Sequence, residues 1–174
     1  MPSQQVQAFP PLTDHPYGKC DAILVHCTPL SGIPSEFQPF NSNCTHSICS
    51  AALVAQVRAI FSFSARGSTL PANLSDPLLY VQYFTFTATP SHHPDVAMYS
   101  VQRMFTVHPD GSRSRVGAII SLLDVIHAVE LIPKYGVAAN RNITSETCLE
   151  LYDDFYLNNF ADKEWYHTMY HDYQ

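Results

Sequence analysis

Apolar and polar residues alternate through much of the chain, and the period of that alternation separates a long strand-like part from a short tail. Residues 21–27 (DAILVHC) are an apolar run closed by Thr28-Pro29, the pattern of a short buried strand. In residues 53–63 (LVAQVRAIFSF) Leu53, Ala55, Val57, Ala59, Phe61 and Phe63 recur at every second position, with Gln56, Arg58 and Ser62 between them. A period of two predicts a strand with one buried face and the glutamine and arginine on the other. Residues 78–87 (LLYVQYFTFT) are aromatic and β-branched on both faces, which predicts a central strand covered on both sides. Residues 98–107 (MYSVQRMFTV) alternate again. Pro109-Asp110-Gly111 then predicts a tight hairpin turn, because Asp and Gly accept positive φ. The return strand is 115–121 (RVGAIIS), followed by a Leu-Leu-Asp corner and a last strand at 128–132 (AVELI), stopped by Pro133.

From Thr144 the period changes. Thr144 is a good N-cap, Glu146 and Glu150 suit a helix start, and Cys148, Leu151, Tyr152 and Phe155 repeat at three or four. The spacing predicts a helix that docks these four residues on the strands, because an isolated helix of that length is marginal in water. A second short helix is expected over 162–171, with Trp165 and Met169 one turn apart. Residues 1–19 are Pro- and Gln-rich and read as a flexible lead-in. The expected architecture is mainly β (α+β): a five- to six-stranded β-barrel or strongly curved sheet with one or two C-terminal helices, in a single domain over 20–174.

Composition supports a folded core, since 46% of the 174 residues are hydrophobic, 12% aromatic and 14% charged. No apolar run approaches the roughly 18 residues of a membrane-spanning helix, and the first residues lack a signal-peptide pattern. A soluble, non-exported chain is therefore expected, with its five cysteines as free thiols and its three Asn-x-Ser/Thr sequons as chance matches. The net charge is -6, and the whole imbalance lies in 142–174, which holds one Lys and seven acids. Tight duplex DNA binding is not expected, because it needs a basic face that displaces counterions. Arg103, Arg113 and Arg115 are the residues from which such a face would have to be built.

Candidate chemistry is sparse. No nucleophile elbow or phosphate-cradling glycine loop occurs, so no catalytic residue, cofactor or small-molecule substrate is expected and the chain is not read as an enzyme. Glu164, His167 and His171 would share one helical face at i, i+3 and i+7, a spacing that permits a metal-dependent alternative. A solvated polar face opposite Trp165 and Met169 accounts for the same spacing without a metal, and is preferred. Cys20, His26, Cys27, Cys44, His46 and Cys49 include zinc-ligand types but lack the close pairs with which zinc sites begin. His92-His93-Pro94-Asp95 reads as a polar loop tip, and Asp153 and Asp154 as an exposed acidic face.

Four segments, DAILVH, VAQVRAIFSF, PLLYVQYFTF and the run 121–157, resemble in this order the C-terminal region of the Plavaka-type and related Kyakuja-Dileera-Zisupton transposase-like proteins of fungi. The likeness covers residues 20–166 and is poorest over 33–50. Its most specific pieces are VRAIF (57–61), YVQYFT (80–85), ELIPKYG (130–136) and FYLN (155–158). The resemblance implies that an RNase H-like catalytic part with its acidic metal ligands lies upstream in a full-length transposase. None of those ligands is matched here, and no functional residue is carried over. It further implies a nuclear, non-catalytic module from a mobile element. In architecture alone the strand pattern is similar to bromo-adjacent-homology (BAH-like) domains, small β-barrels that bind proteins on chromatin, which makes a protein the expected, unidentified partner.

Overall fold

The computed structural model describes residues 5–13, 16–26, 52–64, 74–88, 95–138, 140–144, 147–158 and 160–161. β-Branched and aromatic residues are concentrated in the strands, and the fold is mainly β. The strands in chain order are β1 (Ala8–Phe9), β2 (Lys19–Cys20), β3 (Ala22–His26), β4 (Ala52–Phe61), β5 (Leu78–Ala88) and β6 (Tyr99–Arg103). There follow β7 (Phe105–Val107), β8 (Arg113–Arg115), β9 (Gly117–Ser121), a 3-10 corner (Leu122–Asp124), β10 (Val125–Val129) and β11 (Leu131–Pro133). A one-turn helix α1 (Cys148–Leu151) and β12 (Asp154–Leu157) complete the described chain.

The main sheet has the order β10-β3-β4-β5-β6-β12-β11 with every neighbour antiparallel, and β9 pairs with β5 beside that path. β10 and β11 stand at opposite ends of this order, yet Glu130 alone separates them in the chain. One extended segment can reach both ends only if the sheet curls, and the result is barrel-like.

β5 is long enough to serve two partners along one edge. Its first half, Leu78 to Gln82, pairs with β9, and its second half, from Phe84 onward, pairs with β6. At the junction, Met104 N–H donates to the Tyr83 carbonyl (3.0 Å), Val116 N–H to the Met104 carbonyl (3.0 Å) and Tyr83 N–H to the Val116 carbonyl (2.9 Å). This ring lets β7 and β8 leave the sheet as a separate hairpin arm with every backbone group at the fork paired. The arm turns at Gly111, whose φ of 81° needs glycine, as the Pro109-Asp110-Gly111 step predicts.

Because β3, β4 and β5 lie mid-sheet, both their faces are buried. One face gathers Leu24, Val54, Phe84, Tyr99, Val101, Phe155 and Leu157 with Cys148 and Leu149 of α1. The other gathers Ile23, Val25, Leu53, Ala55, Val57, Leu79, Val81 and Tyr83 with Met104 and Ile120, and Val6, Ala8, Ala118 and Val125 pack against it. The expected central strand at 78–87 is therefore central, while the strand at 53–63 has no solvent face along its first half. Gln56, assigned to that face, is only 1% exposed.

Two further expectations are corrected. α1 spans four residues, begins after Thr147 instead of Thr144, and leaves Leu151 55% exposed. Phe155 is not helical; it lies fully buried in β12, where Phe155 and Leu157 alternate with half-buried Asp154 and Tyr156. Pairing between β6 and β11 overrides the helical spacing, and the DFYL sequence suits a strand in its own right. Within the expected lead-in, β1 pairs with β2, and Val6 and Ala8 cover the second core. The helix expected over 162–171 lies outside the described residues.

Since β12 is an inner strand, Phe155→Ala should cost about 3–4 kcal/mol in chemical denaturation, its ring being fully buried and set edge-to-face on Phe84 at 5.5 Å. Removing 142–174 should abolish cooperative unfolding. A soluble 1–141 fragment unfolding at the full-length midpoint would contradict the pairing described.

Candidate functional site

The first core does not stay apolar along its length. Beyond Val54 and Phe84 the same face continues with Gln56 and Gln82, directly opposite each other on β4 and β5. Arg103 closes β6, Arg58 sits at the register shift between Val57 and Ala59, and Arg115 ends β8 at the fork. α1 then lays Glu150 across all of them.

The carboxylate of Glu150 is fully used. Oε1 accepts from Gln56 Nε2 at 3.1 Å and from Arg58 Nη1, and Oε2 accepts from Arg115 Nη1 at 2.6 Å. Arg115 also donates through Nη1 to Gln82 Oε1 (3.3 Å) and through Nη2 to the Glu150 carbonyl (3.2 Å). Arg103 is 2% exposed and donates from Nη1 to Gln56 Oε1 at 3.0 Å and from Nη2 to the Leu149 carbonyl. Its guanidinium carbon lies 4.6 Å over the Phe84 ring, and its Nε is 3.7 Å from the half-exposed Asp153 carboxylate. Two guanidiniums thus satisfy carbonyls at the end of a helix too short to satisfy its own.

The charges follow from this packing. Burial, helped by the neighbouring Arg115, pushes the Arg103 pKa down to about 10, so it remains charged at neutral pH. Burial pushes Glu150 up, but the Arg115 and Gln56 hydrogen bonds and the charges of Arg58 and Arg115 outweigh it and hold the carboxyl below its usual range. A carboxylate so held is a poor proton acceptor, and it is already saturated with donors. The cluster is built to fix α1 on the sheet.

Next to α1 is a cavity of about 320 Å³ lined by Cys20, Asp21, Val129, Glu130, Cys148 and Leu149 among others. Burial raises the pKa of both thiols, which makes them weak nucleophiles and weak metal ligands at neutral pH. Among the described residues no group of three or more His, Cys, Asp or Glu side chains is placed to hold a metal. Cys20 and His26 are described; Cys27, Cys44, His46, Cys49, His92, His93 and the candidate set Glu164, His167 and His171 lie outside the described residues. No helix among the described residues is long and apolar enough to cross a membrane.

Of the three arginines named as a possible nucleic-acid face, Arg103 is buried, Arg115 is bound to Glu150, and Arg113 is exposed two positions before Arg115 on β8 with its guanidinium carbon 3.9 Å over Phe105. Sequence reasoning missed Glu150, Arg58, Gln56 and Gln82 as a unit. The usable signal was Gln82, a polar side chain inside a strand otherwise apolar on both faces, which implies a polar partner across the core.

Glu150→Gln should therefore destabilise the protein by about 2–4 kcal/mol at neutral pH, by leaving the half-buried guanidiniums of Arg58 and Arg115 short of an anion. The folded-state pKa of Glu150 lies below its unfolded value, so its stabilisation is complete above that value, about 4.3, and is lost as pH falls through the folded one. The acid limb of a stability–pH curve should flatten in the Gln variant. An unchanged limb would show that Glu150 is not the group responsible.

No protein-family model matches the chain, and no curated protein and no solved structure matches it either.

Proposed function

We propose that the chain is a non-catalytic protein-interaction module. The observation that carries this reading is a row of half-buried to exposed apolar residues across three paired strands of the sheet. Ala59, Tyr80 and Ile119 stand abreast across β4, β5 and β9, and Tyr80 and Ile119 are 38% and 59% exposed. Phe61 lies two positions further along β4 and meets exposed Phe63 edge-to-face at 5.9 Å. Contiguous apolar surface on a fixed scaffold marks a contact site for another macromolecule. The adjoining charged cluster supports the same reading, because the Glu150 carboxylate is bound by Gln56, Arg58 and Arg115 and holds the strands beside that row together.

Derivation from a mobile element, and nuclear residence with it, rest on the resemblance of the four segments to transposase-like proteins. A transposase frame directly upstream in the genome would support that origin, and its absence would count against it.

A photo-crosslinking residue at Ile119 should give a discrete protein adduct in cells, whereas one at fully exposed Val137 should not. Equal labelling from both positions, or none, would refute an interaction surface here. Stoichiometric zinc, manganese or iron in untagged protein, lost on His167→Ala, would replace this reading by the metal-dependent one.

A further inference from the structure

β10 and β11 are one extended run that changes partners at Glu130, and the change opens a wedge in the wall of the sheet. The ladder between β10 and β3 ends with Val129 opposite Ala22. Beyond that pair the run turns to β12 on one side, while Lys19 and Cys20 turn to β1 on the other. The cavity of about 320 Å³ lies between these two parting runs, against Cys148 and Leu149 of α1. Its volume falls within the range of ligand pockets, roughly 300 to 1,000 Å³.

Hydrogen bonds show what each run turns toward the cavity. Asp21 N–H donates to the Gln7 carbonyl at 3.0 Å and the Asp21 carbonyl accepts from Val57 N–H at 2.9 Å, so Cys20 points its own N–H and C=O away from β1 and β4. On the facing run Asn158 N–H donates to the Glu130 carbonyl at 2.9 Å and Lys134 N–H to the Asp154 carbonyl at 3.0 Å, so Leu131 points its N–H and C=O away from β12. Each wall thus presents one donor and one acceptor that no described residue takes. The floor is apolar, because Val129 and Leu131 pack on the first core, to which Cys148 and Leu149 belong. The rim is charged. Asp21 Oδ2 accepts from Gln7 N–H at 2.7 Å and Glu130 Oε2 from Asn158 Nδ2 at 3.1 Å, which leaves Asp21 Oδ1 and Glu130 Oε1 for a cation, with Lys19 beside them.

We propose that this wedge takes a short extended peptide in which an apolar residue stands between two basic ones. An extended chain offers a donor and an acceptor to both walls at once, because successive residues turn their N–H and C=O to opposite sides. Its side chains alternate in the same way, so the apolar one meets the floor while its neighbours reach the rim. There two carboxylates against one ammonium select lysine or arginine, and the net charge of -6 favours the approach of a basic partner. The wedge is separate from the row at Tyr80 and Ile119, so the proposal goes beyond the interaction reading above and adds a second contact of defined chemistry.

The probe is acetyl-Lys-Val-Lys-amide, titrated into the full nitrogen-labelled chain. The amide resonances of Cys20 and Leu131 should shift saturably, with half-saturation at roughly 0.1 to 1 mM. N-methylvaline in place of valine removes the N–H that the central residue gives to a wall, and should weaken binding roughly tenfold. Glutamate in place of both lysines should abolish it. These changes are made in the peptide and leave the fold untouched. In the protein, Glu130→Gln keeps an acceptor for Asn158 and deletes the charge, so it should weaken the lysine peptide severalfold at low salt and less at high salt. No saturable shift up to roughly 10 mM peptide, or equal binding of the N-methylated form, would overturn the proposal. Lysine amide alone binding as tightly would also overturn it, by assigning the wedge to a small ammonium. Any of these results leaves the crosslinking test at Ile119 unaffected, because that test reads a different surface.

Discussion

The structure depends on one carboxylate held among guanidiniums. Glu150 joins β4 through Gln56 and Arg58, and the fork through Arg115, while Arg103 ties β6 to the same turn of helix. Three strands, β4, β6 and β8, are thereby fastened to α1. Burying such a cluster is costly, and its Coulombic gain offsets the desolvation only where every donor is placed well. The return is therefore better read as geometry than as net stability. The cluster fixes where α1 lies, which in turn delivers the chain into β12 at the register that β6 requires.

That delivery matters because the sheet has unusual demands. Strands β3, β4 and β5 bury both faces, so two separate sets of side chains must be covered. α1 and β12 help cover one set. β1, β9 and the start of β10 cover the other. The single extended run from β9 through β11 serves both, pairing in turn with β5, β3 and β12. At Gly117 the strand passes so close to β5 that a Cβ would meet the Val81 carbonyl and the Tyr80 ring.

Much of this was legible in the sequence, for identifiable reasons. The period-two runs and the two-faced apolar strand at 78–87 specify strands through local burial alone, and the Pro-Asp-Gly step specifies its turn through backbone sterics. The tail was misread because its apolar positions fit two periods: 148, 151, 152 and 155 fit a helix, while 155 and 157 fit a strand. Only the vacancy between β6 and β11, a property of the folded sheet, decides between them. The arginine cluster was illegible for a related reason. Gln56 and Arg58 sit at alternate positions that in isolation look like a solvent face, and their partner Glu150 is far off in sequence and looks like a helix-start charge.

The same logic explains why the charged cluster and the exposed apolar row adjoin. Both lie on one face of β4 and β5, and the face passes from apolar core, through Gln56 and Gln82, to Tyr80 and Ile119 at the end that α1 does not reach. A polar layer between two apolar ones separates a core that is sealed from one that is open. Without that layer, the exposed row would be continuous with the hydrophobic interior. Guanidiniums suit this boundary because their stems pack on apolar neighbours while their heads are fixed by directional bonds, as Arg103 over Phe84 illustrates. The cluster therefore does for this face what a polar rim does for an interface: it sets the limit of the apolar surface and keeps the strands beneath it rigid.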